Sequence, residues 1–158
     1  MSITVELEGF AELEQALGEL ERLATQKAVA RRSLKAAAEP LAKLAKSLAP
    51  DDPATGGFDL AASIKVGNRL SRSQTRQHRK MFRNDRAAVE MFVGAGPLPQ
   101  AVQQEFGNIN HGPQPFMRPA WEQDQRALLD RLKAELWADI QKTVERAERR
   151  AARLAAKG

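Results

Sequence analysis

Pro113, Pro115 and Pro119 stand within seven residues of one another, and nothing else in the chain restricts its fold as much. Each ring fixes φ and drives the preceding residue out of the helical region. Residues 112–119 therefore read as an extended, stiff arm that enters a helix at Pro119, a residue suited to the first helical position. Around this arm, residues 99–121 gather one of the two Trp, two of the six Phe and four of the eight Pro. Phe106 followed by Gly107 adds an apolar anchor and a sharp turn. The three apolar side chains on this segment, Phe106, Phe116 and Met117, need cover from this chain or from a neighbouring one.

The rest of the chain is read by periodicity. Residues 3–8 alternate apolar and polar side chains, the pattern of a half-buried strand. Phe10, Leu13, Leu17, Leu20 and Leu23 recur at three and four, which makes one stripe on a first helix. A second helix runs from Thr25 to Leu48 with Leu34, Leu41 and Leu48 on one face and Ala37, Ala38 and Ala45 beside them. Pro40 falls inside it and is expected to kink it, because its ring clashes with the carbonyl of Ala36. Two strands follow, one best read at 63–67 and one at 87–94, joined as a hairpin across a long polar loop at 69–86. Residues 100–106 suit a short helix. A long helix starts at Pro119, and its basic end, 142–158, has little to bury and projects. The class is α+β in a single domain, 1–158: an N-terminal strand, two helices, a β-hairpin with a long basic loop packed on the helices, and a long C-terminal helix.

Charge is distributed unevenly along the chain. Residues 1–24 hold six Glu and one Arg, a net −5, whereas 69–86 hold seven Lys or Arg and one Asp, a net +6. Residues 142–157 hold six Lys or Arg and two Glu, a net +4. One acidic end and two basic segments suit head-to-tail self-association or a polyanionic partner. The candidate polyanion contacts are Arg69, Arg72, Arg76, Arg79, Lys80, Arg83 and Arg86. A small basic protein using this loop and the C-terminal helix on nucleic acid is the alternative function.

Chemistry finds little support. The chain has no Cys and two His, so thiolate sites and thiol nucleophiles are excluded. Neither His78 nor His111 has a second ligand at metal spacing. No nucleophile elbow, P-loop or dinucleotide-binding glycine run occurs. Glu105 and His111 are the one acid–base pair that can be imagined, and nothing completes it. The expectation is a protein that is not an enzyme and needs no cofactor. No apolar run approaches the ~20 residues of a membrane span, and the first residues lack the layout of a signal peptide.

Glu105-Phe106-Gly107 followed by Pro115-Phe116-Met117-Arg118-Pro119-Ala120 resembles the "E-F-G-T … P-F-L-R-P-A" signature of a phage structural family. That family is named for the tenth gene product of phage Hong Kong ninety-seven. Ala49-Pro50, then Thr55-Gly56-Gly57-Phe58-Asp59-Leu60 and Ser63-Ile64, is similar to its "A-P … T-G-x-L-x-x-S-I". The resemblance covers residues 3–135. Asn108 replaces the usual Thr, one extra residue separates Gly56 from Leu60, and the basic insert at 69–86 is long. The resemblance implies a tail-completion or neck subunit that joins the tail tube to the head connector of a long-tailed phage or prophage. It implies a closed homo-oligomeric ring, six copies matching the tail tube, which touches the head connector or stopper, the tail terminator or tube, and genomic DNA. The protein would be assembled in the host cytoplasm and reside in the virion. Phe106, Gly107, Pro115, Phe116, Met117, Arg118 and Pro119 are the residues expected at its subunit or partner interface.

Overall fold

The computed structural model describes residues 10–18, 20, 23–50, 59–84, 87 and 89–158. Its elements are α1 (Phe10–Gly18), α2 (Leu23–Leu48), α3 (Leu60–Ser63), β1 (Lys65–Gly67), α4 (Arg72–Met81), β2 (Phe92–Gly94), α5 (Pro99–Phe106) and α6 (Met117–Ala155). The expected strand at 3–8 and the Gly56-Gly57 turn lie outside the described residues.

Two long helices make the frame. Small side chains line one face of α2: Ala37, Ala38, Ala42 and Ala45 are buried. Such a face lets a second helix approach closely, and α6 occupies it. The pairing is antiparallel. Val29 near the start of α2 shares a cluster with Ile140, the Arg131 Nε donates to the Ala37 carbonyl at 3.1 Å, and Leu41, Ala42 and Ala45 meet Phe116 and Ala120. Arg32 adds a fork to Asp139, with N–O distances of 3.0 and 3.1 Å. Pro40 does not end α2, which runs through it to Leu48; its ring deletes one backbone bond, and tertiary packing on both sides of the ring holds the helix.

The core has two parts. Leu13 and Leu20 of the first stripe pack with Val29 and Ile140 at one end. At the other, Leu60, Ile64 and Phe116 close over α2. Fully burying side chains of this size contributes about 1.5–3 kcal/mol each. Ser33, also buried on α2, has no hydrogen-bond partner for its hydroxyl among the described residues.

The antiparallel pairing of the two strands is as expected, with Val66 opposite Val93 and Lys65 opposite Gly94. Both strands are shorter than the sequence reading. Leu60–Ser63 forms a helical turn, capped by the Asp59 carboxylate accepting from the Ala61 N–H at 2.8 Å. The larger correction concerns the basic connection, read as a loop. Arg72–Met81 is a helix, and its start is a capping box: Ser71 Oγ accepts from the Gln74 N–H and Gln74 Oε1 accepts from the Ser71 N–H. Two orphan donors are thereby satisfied at the first turn. No Gly or Pro interrupts the stretch that follows.

The last helix begins at Met117, two residues before the expected start, so Pro119 sits in its first turn, where a missing N–H is harmless. Over 39 residues it rises about 58 Å. Ile140 is its last buried residue, and from Val144 onward every side chain is exposed. The helix continues through this basic end to Ala155.

Candidate functional site

The stretch richest in Pro and aromatic residues folds into a helix, a tight loop and the head of α6, joined by one carboxylate. Pro99 opens α5 at its first position. Gly107 ends it with φ +77°. A Cβ at Gly107 would lie 2.9 Å from the Pro113 nitrogen and 3.1 Å from the His111 carbonyl oxygen, so glycine is required twice, for its dihedral angle and for the close approach.

The loop from Gly107 to Pro115 closes on itself. The Gly107 N–H donates to the Gln103 carbonyl at 2.7 Å, the Asn108 N–H to the His111 carbonyl at 3.0 Å, and the Gln114 N–H to the Gln104 carbonyl at 2.7 Å. Asn108 Oδ1 accepts from the N–H groups of Asn110 and His111 at 2.7 and 3.0 Å. This Asx turn sets the tip. Ile109, held at that tip, is fully exposed, and Phe106 at its base is 64% exposed.

Glu105 ties the loop to α6. Its side chain is only 8% exposed. Oε2 accepts from the N–H groups of Phe116 and Met117 at 2.8 and 2.9 Å, and Oε1 accepts from the Arg118 N–H at 3.0 Å. The Arg118 Nε donates to Oε1 at 2.9 Å, and another guanidinium nitrogen donates to the Glu105 carbonyl at 2.8 Å. A helix start leaves its first N–H groups unpartnered and carries a partial positive charge; here α6 takes both its acceptor and its counter-charge from α5. Burial by itself would push the Glu105 pKa up and is the largest single influence. The bonds from the Phe116, Met117 and Arg118 N–H groups and the Arg118 guanidinium together outweigh it and hold the carboxyl below the ordinary glutamate value. Arg118 also lies over the Phe106 ring, 4.9 Å from its centroid.

The expected interface residues therefore separate. Phe106 and Arg118 are presented outward, Gly107 and Pro115 shape the loop, and Pro119 is half-buried in the first turn of α6. Phe116 needs correcting: it is 1% exposed, packed within this chain's own core, so the expectation that it is offered to a neighbour does not hold in this structure. Half-buried Met117 packs on the same core and lines an apolar groove of about 500 Å³ with Leu34, Leu41, Val93 and Trp121. Glu105 and His111 make no bond to each other. The carboxylate is occupied by α6, and His111 is exposed with Nδ1 2.9 Å from the Gly112 carbonyl. Among the described residues no cluster of His, Asp and Glu could hold a metal ion, and no helix is long and apolar enough to cross a membrane.

Of the basic candidates, Arg69, Arg72, Arg76, Arg79, Lys80 and Arg83 are all exposed; Arg86 lies outside the described residues. The inner side of α4 is fastened by His78, whose ring lies 4.9 Å from that of Phe82 and 5.4 Å from that of Phe92 on β2. Glu90 approaches the His78 Nε2 at 3.6 Å.

A family model, bacteriophage HK97-gp10-like and described as a proposed tail component, matches residues 11–107. The match runs from α1 through the Glu105-Phe106-Gly107 turn, so Pro115–Ala120 lies beyond it. No curated protein and no solved structure matches the chain.

Proposed function

The chain belongs to the HK97-gp10-like family of phage tail components, and on that premise we propose that it is a tail-completion subunit, one of six copies in a ring between the tail tube and the head connector. A tail component of this kind is a structural virion protein that works by contact with other virion proteins. The observation that carries the finer reading is the tip loop. Ile109 and Phe106 stand exposed on a loop pinned at both ends by backbone bonds and by Glu105. An apolar side chain fully exposed on a stiff support loses little conformational freedom on docking, which is what favours a binding anchor.

A cyclic ring needs two different patches on each copy, one docking on the other in the next. The tip loop supplies a convex apolar patch, and the groove between α2, β2 and α6 supplies a concave one. The net −5 of residues 1–24 and the basic segments farther along add opposed charges that favour one polarity of stacking.

Ile109→Asp in the phage that encodes the chain tests the reading. Ile109 touches no core cluster, so the isolated variant should keep its helical content and unfolding midpoint. Heads and tails should accumulate unjoined. Normal yields of joined, infectious particles carrying Ile109→Asp would refute the tip loop as the joining surface.

A further inference from the structure

The correction of the basic loop to a helix changes what its charges can do. On α4, Arg72, Arg76, Arg79 and Lys80 are spaced by three and four and so fall within an arc of about 100° on one side of the helix. They span about 12 Å of its axis, and the exposed Arg69 and Arg83 lie just beyond its two ends in the sequence. The helix itself contains no Asp or Glu.

Among the described residues nothing neutralises the row. Arg32, Arg118, Arg131 and Arg149 each pair with a carboxylate. Among the described residues none of Arg72, Arg76, Arg79, Lys80 or Arg83 has an ion-pair or hydrogen-bond partner. Like charges one helical turn apart repel and weaken a helix. This one is held in spite of that by its Ser71–Gln74 box and by the packing of His78 against Phe82 and Phe92. A fold that orders four mutually repelling cations on one exposed helix face, with no counter-ion paired to them among the described residues, presents them to an external anion.

We propose that the Arg72–Arg76–Arg79–Lys80 face of α4, with Arg83 just beyond its end, binds the phosphate backbone of double-stranded DNA without reading its sequence. The row is linear and of one sign, as a phosphate strand is. Met81, 76% exposed at the end of the helix, lies at least about 100° round the axis from every cation of the row, so the cationic side carries no apolar anchor of the kind from which a protein interface draws its affinity. The nearby Phe82 packs one side of its ring at a 39° tilt against His78, and no second aromatic side chain stands along the row to continue a stack of bases, which favours duplex over single strand. Contact through phosphates alone is sequence-independent and strongly salt-dependent. This inference stands apart from the tail-completion reading, since it concerns a different face and is tested without a particle.

The test is fluorescence anisotropy with a labelled mixed-sequence duplex of about 20 base pairs, titrated between roughly 50 and 200 mM salt. The native chain should bind with a dissociation constant of about 10⁻⁴–10⁻⁶ M, equally on a scrambled duplex, with log K falling by about 4.5 per decade of salt for the five cations. Arg76→Ser/Arg79→Ser/Arg83→Ser should keep its circular dichroism, bind at least about tenfold more weakly, and lose about 2.7 from the slope, close to 0.9 for each cation removed. The matching change on the last helix, Arg146→Ser/Arg150→Ser/Arg153→Ser, should leave most of the binding. Equal binding by the α4 variant and the native chain overturns the proposal, as does an equal loss from the α6 variant. Competition by polyglutamate as effective as by duplex would overturn it in favour of an acidic protein partner.

Discussion

Glu105→Ala removes the acceptor from three N–H groups and one guanidinium at once. The Phe116 N–H is buried, and leaving such a donor unsatisfied costs about 1–3 kcal/mol. The Met117 and Arg118 N–H groups are only part-buried and regain water, so about 0.5–1 kcal/mol each is lost. Taking a negative charge from the start of α6 adds about 0.3–1 kcal/mol. The ion pair with Arg118 adds at most about 1 kcal/mol, because that side chain is 55% exposed and solvent screens it. Together these come to about 2–7 kcal/mol. At about 2–4 °C per kcal/mol for a chain of this length, the thermal midpoint should fall by roughly 5–28 °C. Glu105→Gln keeps the shape and one oxygen and should cost about half as much. A pH series isolates the charge. A carboxyl with a lowered folded pKa contributes stability that is fully present above its ordinary value of about 4.3 and is lost as pH falls through the lower folded value. Urea unfolding followed by circular dichroism should therefore show Glu105→Gln well below the native chain at pH 7, the gap closing as pH drops below about 4. A Glu105→Ala midpoint within about 1 kcal/mol of the native value at pH 7 would refute the assignment of Glu105 as the cap of α6.

Phe116→Ala should destabilise the isolated chain by about 3–5 kcal/mol, since the side chain fills this protein's own core; denaturant unfolding measures it. Gly107→Ala forces a Cβ to within 2.9 Å of the Pro113 nitrogen at φ +77° and should cost at least about 1–2 kcal/mol by the same assay. Ser33→Ala removes a buried hydroxyl without a partner among the described residues and should be neutral or stabilise by up to about 1 kcal/mol. Light scattering at micromolar protein should find mainly monomer, with oligomer growing as salt falls, because exposed charge pairs contribute only ~0–1 kcal/mol each.

Much of the helical frame was legible because apolar residues at three and four leave few alternatives. Leu13 and Leu20 are buried as that spacing requires, and the alanine face of α2 meets α6. The basic helix was missed for a definite reason. A surface helix made of Arg, Gln, Ser and Thr has no apolar stripe to reveal it, and only the Ser71-x-x-Gln74 box marks its start. The role of Glu105 had no local signature, since its partners lie eleven to thirteen residues later. Proline spacing showed that residues 112–119 are stiff. Whether Phe116 turns inward or toward a neighbour depends on the space beside Leu41, Ala45 and Ile64, which exists only in the assembled fold.

The Glu105 cap also carries a consequence for the order in which the chain folds. Its contacts close a loop of about ten residues, an event on the scale of 10–100 ns, and a closure this short costs little entropy. The β1–β2 pairing joins residues as far apart as Lys65 and Gly94 and must wait for a longer search. The α5–loop–α6 corner is thus placed to form early and to start α6, whose first N–H groups it caps. Changes at Glu105 should then slow refolding, while truncations in β1 or β2 should mainly hasten unfolding.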